Sequence, residues 1–236
     1  MQRAYLEPSK ARLHLGAGKT HMDGFVNCDL YPGEGIDMVF DLMKPWPFED
    51  NSCDGIYASH VLEHLPDHRF FFREAWRVLD DRREMRLRVP SGSHRSAWCD
   101  PTHLRPWYPE SFAFLQPQYA QAVGNPQHDA WDAPFLVGCV GLKVSGWVRK
   151  VLRWKWLFHA AKPWFSIVPD AIEELWCDAY ALKAPASLLL AEGLHHGNAV
   201  PVRWLIAPHD WEQRAWVPTE GFTLLDVSGR IACVAY

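Results

Sequence analysis

The chain lacks any C-x-x-C pair: its six cysteines, Cys28, Cys53, Cys99, Cys139, Cys177 and Cys233, are scattered. That scatter argues against both a disulfide framework and a cysteine metal site, and with no cleavable signal in view the thiols are expected to be reduced in a cytoplasm. No apolar run of about 18 residues is present, so no membrane-spanning helix is expected. Basic charge is also in deficit. With 24 Lys+Arg against 28 Asp+Glu, the formal charge of −4 supplies no general attraction to nucleic acid. What the chain does have is 236 residues at 48% hydrophobic, enough for one domain or one domain with an inserted cap. Its thirteen tryptophans gather mostly after residue 97.

The most informative stretch is 12–29, RLHLGAGKTHMDGFVNCD, where a short apolar strand runs into Gly16-Ala17-Gly18 and a second strand-like run ends at Asp29. Glycines let a backbone turn tightly and present N–H groups to a ligand, and a carboxylate at the tip of the neighbouring strand can accept from both hydroxyls of a ribose. By itself such a G-x-G is equally a plain tight turn. A Walker A loop would need a glycine where Leu13 stands, five residues before Gly18-Lys19-Thr20. A dinucleotide-binding unit would need a third glycine where His21 stands, and an acid later than Asp29.

The next stretch, 36–65, contains Asp41-Leu42, the turn Pro45-Trp46-Pro47-Phe48, and Asn51-Ser52-Cys53-Asp54 leading into Gly55-Ile56-Tyr57-Ala58 and then Ser59-His60-Val61-Leu62-Glu63-His64. In this order, from about Leu13 to Val89, the chain resembles the class I S-adenosylmethionine-dependent methyltransferases, specifically the type 11-like subgroup that reads LNLGCG, NVD, D-L-x-x-P-L-P-F and F-D-x-I-Y-A-S-H-V-L-E-H. Asp100-Pro101-Thr102-His103-Leu104-Arg105-Pro106-Trp107 is similar to the D-P-T-H-x-R-P segment of the same proteins. The resemblance implies an α/β, Rossmann-like class I methyltransferase fold, with a mostly parallel sheet, an antiparallel C-terminal strand and a helical insertion.

It also implies roles. Gly16, Ala17 and Gly18 would line the methionine part of S-adenosylmethionine, Asp29 would hold its ribose, Asp41 with the Leu42 backbone would face its adenine, and Ser59 and His60 would close the site. Such ligands bind beyond the carboxyl ends of parallel strands. The chain departs from the family at Asp80-Asp81-Arg82-Arg83-Glu84, a charged loop where a Pro-Gly-Gly turn is usual. That departure keeps a second function in play, a catalytically silent binding protein on the same fold.

A rival reading sits at His60-Val61-Leu62-Glu63-His64, because H-x-x-E-H on a helix is a zinc-protease signature with Glu63 as base. Pro66 and the strand-like residues before it argue against a helix there. The expectation is therefore no metal, with these histidines covering the site.

Periodicity places strands at 12–15, 26–29, 38–40, 55–58 and 85–89, and a helix at 68–79 with Phe71, Phe72, Ala75, Trp76 and Leu79 on one face. Later runs at 200–207, 222–227 and 231–236 read as strands that would complete the sheet. The expected division is 1–94 for the cofactor half, 95–198 for a substrate-side insertion and 199–236 for the closing strands. Asp170 with Glu173 reads as the start of a helix. Within the insertion, residues 143–162 interleave six basic residues with aromatics and no acids, which suits either a cap helix or peripheral contact with a membrane. For a hydroxyl acceptor, His103 is the candidate base with Asp100 to orient it, and Arg105 is placed to bind an anionic substrate group. Trp107 and Trp131, with Trp98 and Tyr108, offer flat faces for a sugar or small molecule. The competing reading of Asp100, His103 and Arg105 is that they merely pin the loop.

Overall fold

A computed structural model of the chain describes residues 10–116, 133–146, 169–183 and 204–206. They form one eight-stranded sheet in the order β3-β2-β1-β4-β5-β7-β6-β8. Its strands are β1 (Ala11–Leu15), β2 (Val26–Asp29), β3 (Met38–Val39), β4 (Cys53–Ser59), β5 (Leu79–Pro90), β6 (Phe135–Val144), β7 (Ile172–Ala181) and β8 (Trp204–Ile206). The pairings of β1 to β5 are all parallel, β7 runs against both β5 and β6, and β8 runs with β6. The sheet is thus mostly parallel with one antiparallel strand.

Leu13 and Leu15 of β1, Ile56 and Ala58 of β4, and Met85, Leu87 and Val89 of β5 are all buried, as expected of central strands covered on both faces. The crossover from β4 to β5 is α1 (His68–Val78), whose Asp67 N-cap accepts from the Phe70 N–H at 3.0 Å. Its buried face carries Phe71, Phe72, Ala75 and Val78. Trp76 is half-buried, and Leu79, expected as the last turn of this helix, instead opens β5.

No helix joins β1 to β2 or β2 to β3, and side chains do the work of holding these short connections. Asn27 is fully buried: its Oδ1 accepts from the Met22 N–H at 2.9 Å and lies 3.0 Å from His14 Nδ1, while its own N–H donates to Asp37 Oδ2 at 2.7 Å. Burial lowers the pKa of His14, so the neutral ring is favoured and its Nδ1–H is the donor to Asn27. The Pro45–Phe48 turn is tied to α1 in the same way. Glu74 accepts from the Trp46 N–H at 2.7 Å, and Arg77 donates to Glu74, Asp50 and the carbonyls of Trp46 and Phe48. Burial disfavours the Glu74 charge, but those hydrogen bonds outweigh it and hold the carboxyl below its ordinary range.

Several expectations change. The strands that follow β5 in the sheet, β6 and β7, come from 135–144 and 172–181, so the stretch 95–198 is not one long insertion. The antiparallel strand is β7, and of the closing runs only 204–206 is described, as β8 on the sheet edge; 222–236 lie outside the described residues. Residues 80–84 are no loop but the start of β5, with Arg82 at φ +59 and the opposing register shifted between Cys53 and Gly55. Asp170 does not start a helix. It sits at φ +58 just before β7 and accepts from the Arg95 backbone N–H at 2.8 Å and side chain at 2.8–3.0 Å. Of 143–162, Lys143 and Val144 end β6, and from 147 on the segment lies outside the described residues. Among the described residues no helix is long and apolar enough to cross a membrane, and Cys28, Cys53, Cys99 and Cys177 are free.

Candidate functional site

The carboxyl ends of β1, β2 and β4 lie side by side, and the residues that follow them build one polar edge. After β1 the chain turns through Gly16 at φ +66 and Gly18 at φ +55, conformations that cost an L side chain about 1–2 kcal/mol. The two glycines serve different ends. A Cβ on Gly16 would stand 2.3 Å from Val61 Cγ2, so this glycine lets the segment after β4 close over the loop. A Cβ on Gly18 would meet nothing within 4 Å, so its backbone faces open space.

Asp29, at the end of β2, joins these pieces. Its Oδ2 accepts from the Gly18 N–H at 2.8 Å and its Oδ1 from the Tyr31 N–H at 3.0 Å. A carboxylate oxygen has two lone pairs, so each oxygen keeps acceptor capacity for a ligand hydroxyl. Ala17 is buried, its N–H bonded to the Cys28 carbonyl at 2.9 Å. Beyond β3, Asp41 closes its own turn through the Met43 N–H at 2.9 Å, and Leu42 gives its carbonyl to Trp46 Nε1 at 3.2 Å. Exposed Leu30 and Tyr31 flank this edge.

Ser59 ends β4, and His60 follows at φ +55 with its N–H on the Arg88 carbonyl at 2.8 Å. The next residues form only a 3-10 turn, Leu62–His64, not the α-helix on which a His60/His64 zinc pair would depend. His60 Nδ1 lies 3.2 Å from Glu63 Oε1 instead.

The 100–107 segment lies over this turn, pinned by the Leu104 N–H on the Glu63 carbonyl at 2.7 Å. His103 is packed edge-on to His64, ring centroids 4.8 Å apart, with Nδ1 at 3.2 Å from the Ala97 carbonyl. Asp100 does not hold His103 closely. Its Oδ2 is 3.9 Å from His103 Nε2, whereas its Oδ1 accepts from the Thr102 hydroxyl at 2.7 Å and N–H at 2.8 Å. Those two bonds hold the Asp100 carboxyl below its ordinary range. Arg105 is exposed. Trp107, expected as a stacking wall, is buried in the core: it stacks on Phe112 at 5.3 Å and meets His68 edge-on at 5.0 Å. Trp98 is the exposed aromatic of this group at 63%, and Trp131 lies outside the described residues.

Two features escaped the sequence reading. Asn27 opens the stretch that matches NVD but was given no role there, and only its burial in the folded sheet singles it out. Glu63, His64 and His103 come together with one ligand atom from each within 4.8 Å of the others. Both motifs were visible, but not that one lies on the other.

No curated protein is found to match the chain. In fold it is similar to an S-adenosylmethionine-dependent methyltransferase from Archaeoglobus fulgidus, at 15% identity over 75% of this chain and 88% of that one, with a TM-score of 0.49. It is also similar to the YcgJ protein from Bacillus subtilis, at 14% identity over 75% and 93%, with a TM-score of 0.47. A third is a putative methyltransferase from Bacillus halodurans, at 13% identity over 75% and 93%, with a TM-score of 0.43. Residues 7–82 match the model of a family described as a methyltransferase domain. That match spans the segment that carries β1 to β4, α1 and the head of β5, in agreement with the motifs of its sequence.

Proposed function

We propose that this chain is an S-adenosylmethionine-dependent methyltransferase acting on a small molecule or a sugar of a glycan. The observation that carries the reading is the 2.8 Å bond between the Gly18 N–H and Asp29 Oδ2. It brings the glycine backbone and the acidic side chain close enough to share one nucleoside, at the strand ends where parallel sheets bind such ligands. Gly18 would face the methionine part of the cofactor, Asp29 the ribose, Asp41 and Leu42 the adenine, with Ser59 and His60 closing the far side.

Methyl transfer is an in-line displacement: the acceptor's lone pair forms the new bond to the methyl carbon as the sulfur takes back the old bonding pair. Holding the acceptor in line accounts for most of the catalysis such a site has to supply. A hydroxyl acceptor must also lose its proton, and the groups at hand are the rings of His64 and His103. Arg105, exposed beside them, suits an anionic group on the acceptor, and Trp98 suits a flat or sugar face. The case for a catalytically silent protein rested on the altered 80–84 segment. That segment opens β5, at the opposite end of the strand from the proposed ligand edge.

Calorimetric titration with S-adenosylmethionine and S-adenosylhomocysteine tests the reading. Micromolar binding of both, weakened in an Asp29→Ala variant, is the expected result. Binding of neither would remove the proposal, and binding with no methyl transfer to any acceptor pool would favour the silent protein.

A further inference from the structure

Glu63 is fully buried, and while its Oε1 faces His60, its Oε2 has no hydrogen-bond partner. A carboxylate oxygen left without a donor inside a protein is costly, and buried charges are as a rule paired or bound to a metal. The two rings beside it are arranged as if to relieve that cost. The Thr102 hydroxyl donates to Asp100, so it can only accept from His64, whose Nδ1 lies 3.0 Å away. His103 likewise spends Nδ1–H on the Ala97 carbonyl. In the neutral ring each of these hydrogen bonds places the proton on Nδ1 and leaves Nε2 as the free lone pair, as metal-ligating histidines are held.

We propose that Glu63, His64 and His103 form a binding site for a divalent transition-metal ion. One ligand atom from each residue already lies within 4.8 Å of the others. A four-coordinate cation with bonds of about 2.0–2.1 Å spaces its ligands roughly 3.4 Å apart, so the side chains need close by no more than about 1.4 Å. Two imidazoles and a carboxylate suit zinc, manganese, iron, cobalt or nickel rather than calcium or magnesium, which prefer oxygen alone. Three protein ligands leave positions open, and the exposure of His64 puts them on the solvent side.

The site follows β4 directly, and Val61, two residues before Glu63, is the side chain against Gly16. A cation there would hold an acceptor hydroxyl beside the cofactor edge and lower its pKa, so that with His64 and His103 serving as ligands neither ring is needed as the base. That use, unlike the site itself, rests on the methyltransferase reading.

The test is titration of the EDTA-treated full chain with Co²⁺, without cofactor, followed by calorimetry and by the visible d–d bands that report bound cobalt. The expected result is one ion per chain, with affinity reduced roughly tenfold or more in His64→Ala, His103→Ala and Glu63→Gln. His94→Ala, which removes a neighbouring histidine outside the cluster, should bind as the parent does. Thermal melts check that each variant folds, and if Glu63→Gln does not, the two histidine variants decide. No cobalt bound up to millimolar concentration would overturn the proposal, as would equal affinity in the parent and both histidine variants. Because cofactor is absent, failure here leaves the methyltransferase reading untouched.

Discussion

The two halves of the sheet use carboxylates in opposite ways. On the β1–β2 side Asp29 stands at a strand tip, half-exposed, bonded only to backbone N–H groups. On the β5–β7–β6 side Glu174 stands along a strand, and Arg88, Lys143 and Trp176 all donate to it. Burial disfavours its charge, but Arg88 and Lys143 outweigh that and hold the carboxyl at about 2. Glu84, at the other end of the β5–β7 pairing, is pushed up by burial, with Arg86 opposing that at 2.9 Å. A saturated carboxylate between strands holds strands together. One that keeps lone pairs toward solvent at a strand tip is free to bind a ligand.

Substitutions can break this contrast. The largest expected effect is that of Gly16→Ala, because its Cβ would collide with Val61 Cγ2 at 2.3 Å and its φ is +66. Left-handed strain of about 1–2 kcal/mol and overpacking of about 1–3 kcal/mol should add, read as a lower urea midpoint. An unchanged midpoint would mean that the segment after β4 is not seated on the glycine loop.

Glu174 comes next and acts through pH. Its folded pKa of about 2 lies below the unfolded value, so its contribution is fully present above the unfolded value and lost as pH falls toward 2. The ceiling is about 3 kcal/mol, with roughly half gone by pH 3. Glu174→Gln should flatten the fall in stability between pH 5 and 3; parallel curves for parent and variant would show that the ion pairs do not stabilise the seam.

Asp29→Ala sharpens the other side of the contrast. A 10- to 100-fold loss of S-adenosylmethionine affinity is expected, about 1.4–2.7 kcal/mol, with a smaller change in stability. Affinity equal to the parent's would show that this carboxylate only ties the glycine loop to β2. The smallest effect should be that of Asp41→Asn, which keeps an acceptor for the Met43 N–H and is expected to change stability by less than about 0.5 kcal/mol.

Much of the N-terminal half was legible because its signals are local. The run 26–29 was read with the bounds it has, α1 within one residue, and β4 and β5 at their cores. Glycine torsions and an acid at a strand end are written in adjacent residues, so the Gly18–Asp29 edge could be read as well. The strands β6 and β7 could not. Their segments 135–144 and 172–181 are flanked by tryptophan-rich and basic sequence, and only pairing with β5 across a long span of chain makes them strands of this sheet.

Trp107 and His103 mark the same boundary inside one motif. The D-P-T-H-x-R-P segment was recognisable, but whether each side chain turns to the core or to the ligand edge depends on what packs beneath it. His68 and Phe112 take Trp107 inward, and Glu63 and His64 meet His103 at the rim. By itself the sequence determined the order of the early strands, the turn glycines and the tip acid, because backbone torsion and side-chain alternation act between neighbouring residues. Tertiary structure alone decided which later segments close the sheet and which histidines share a face with Glu63, because burial and long-range pairing depend on residues that adjacency does not bring together.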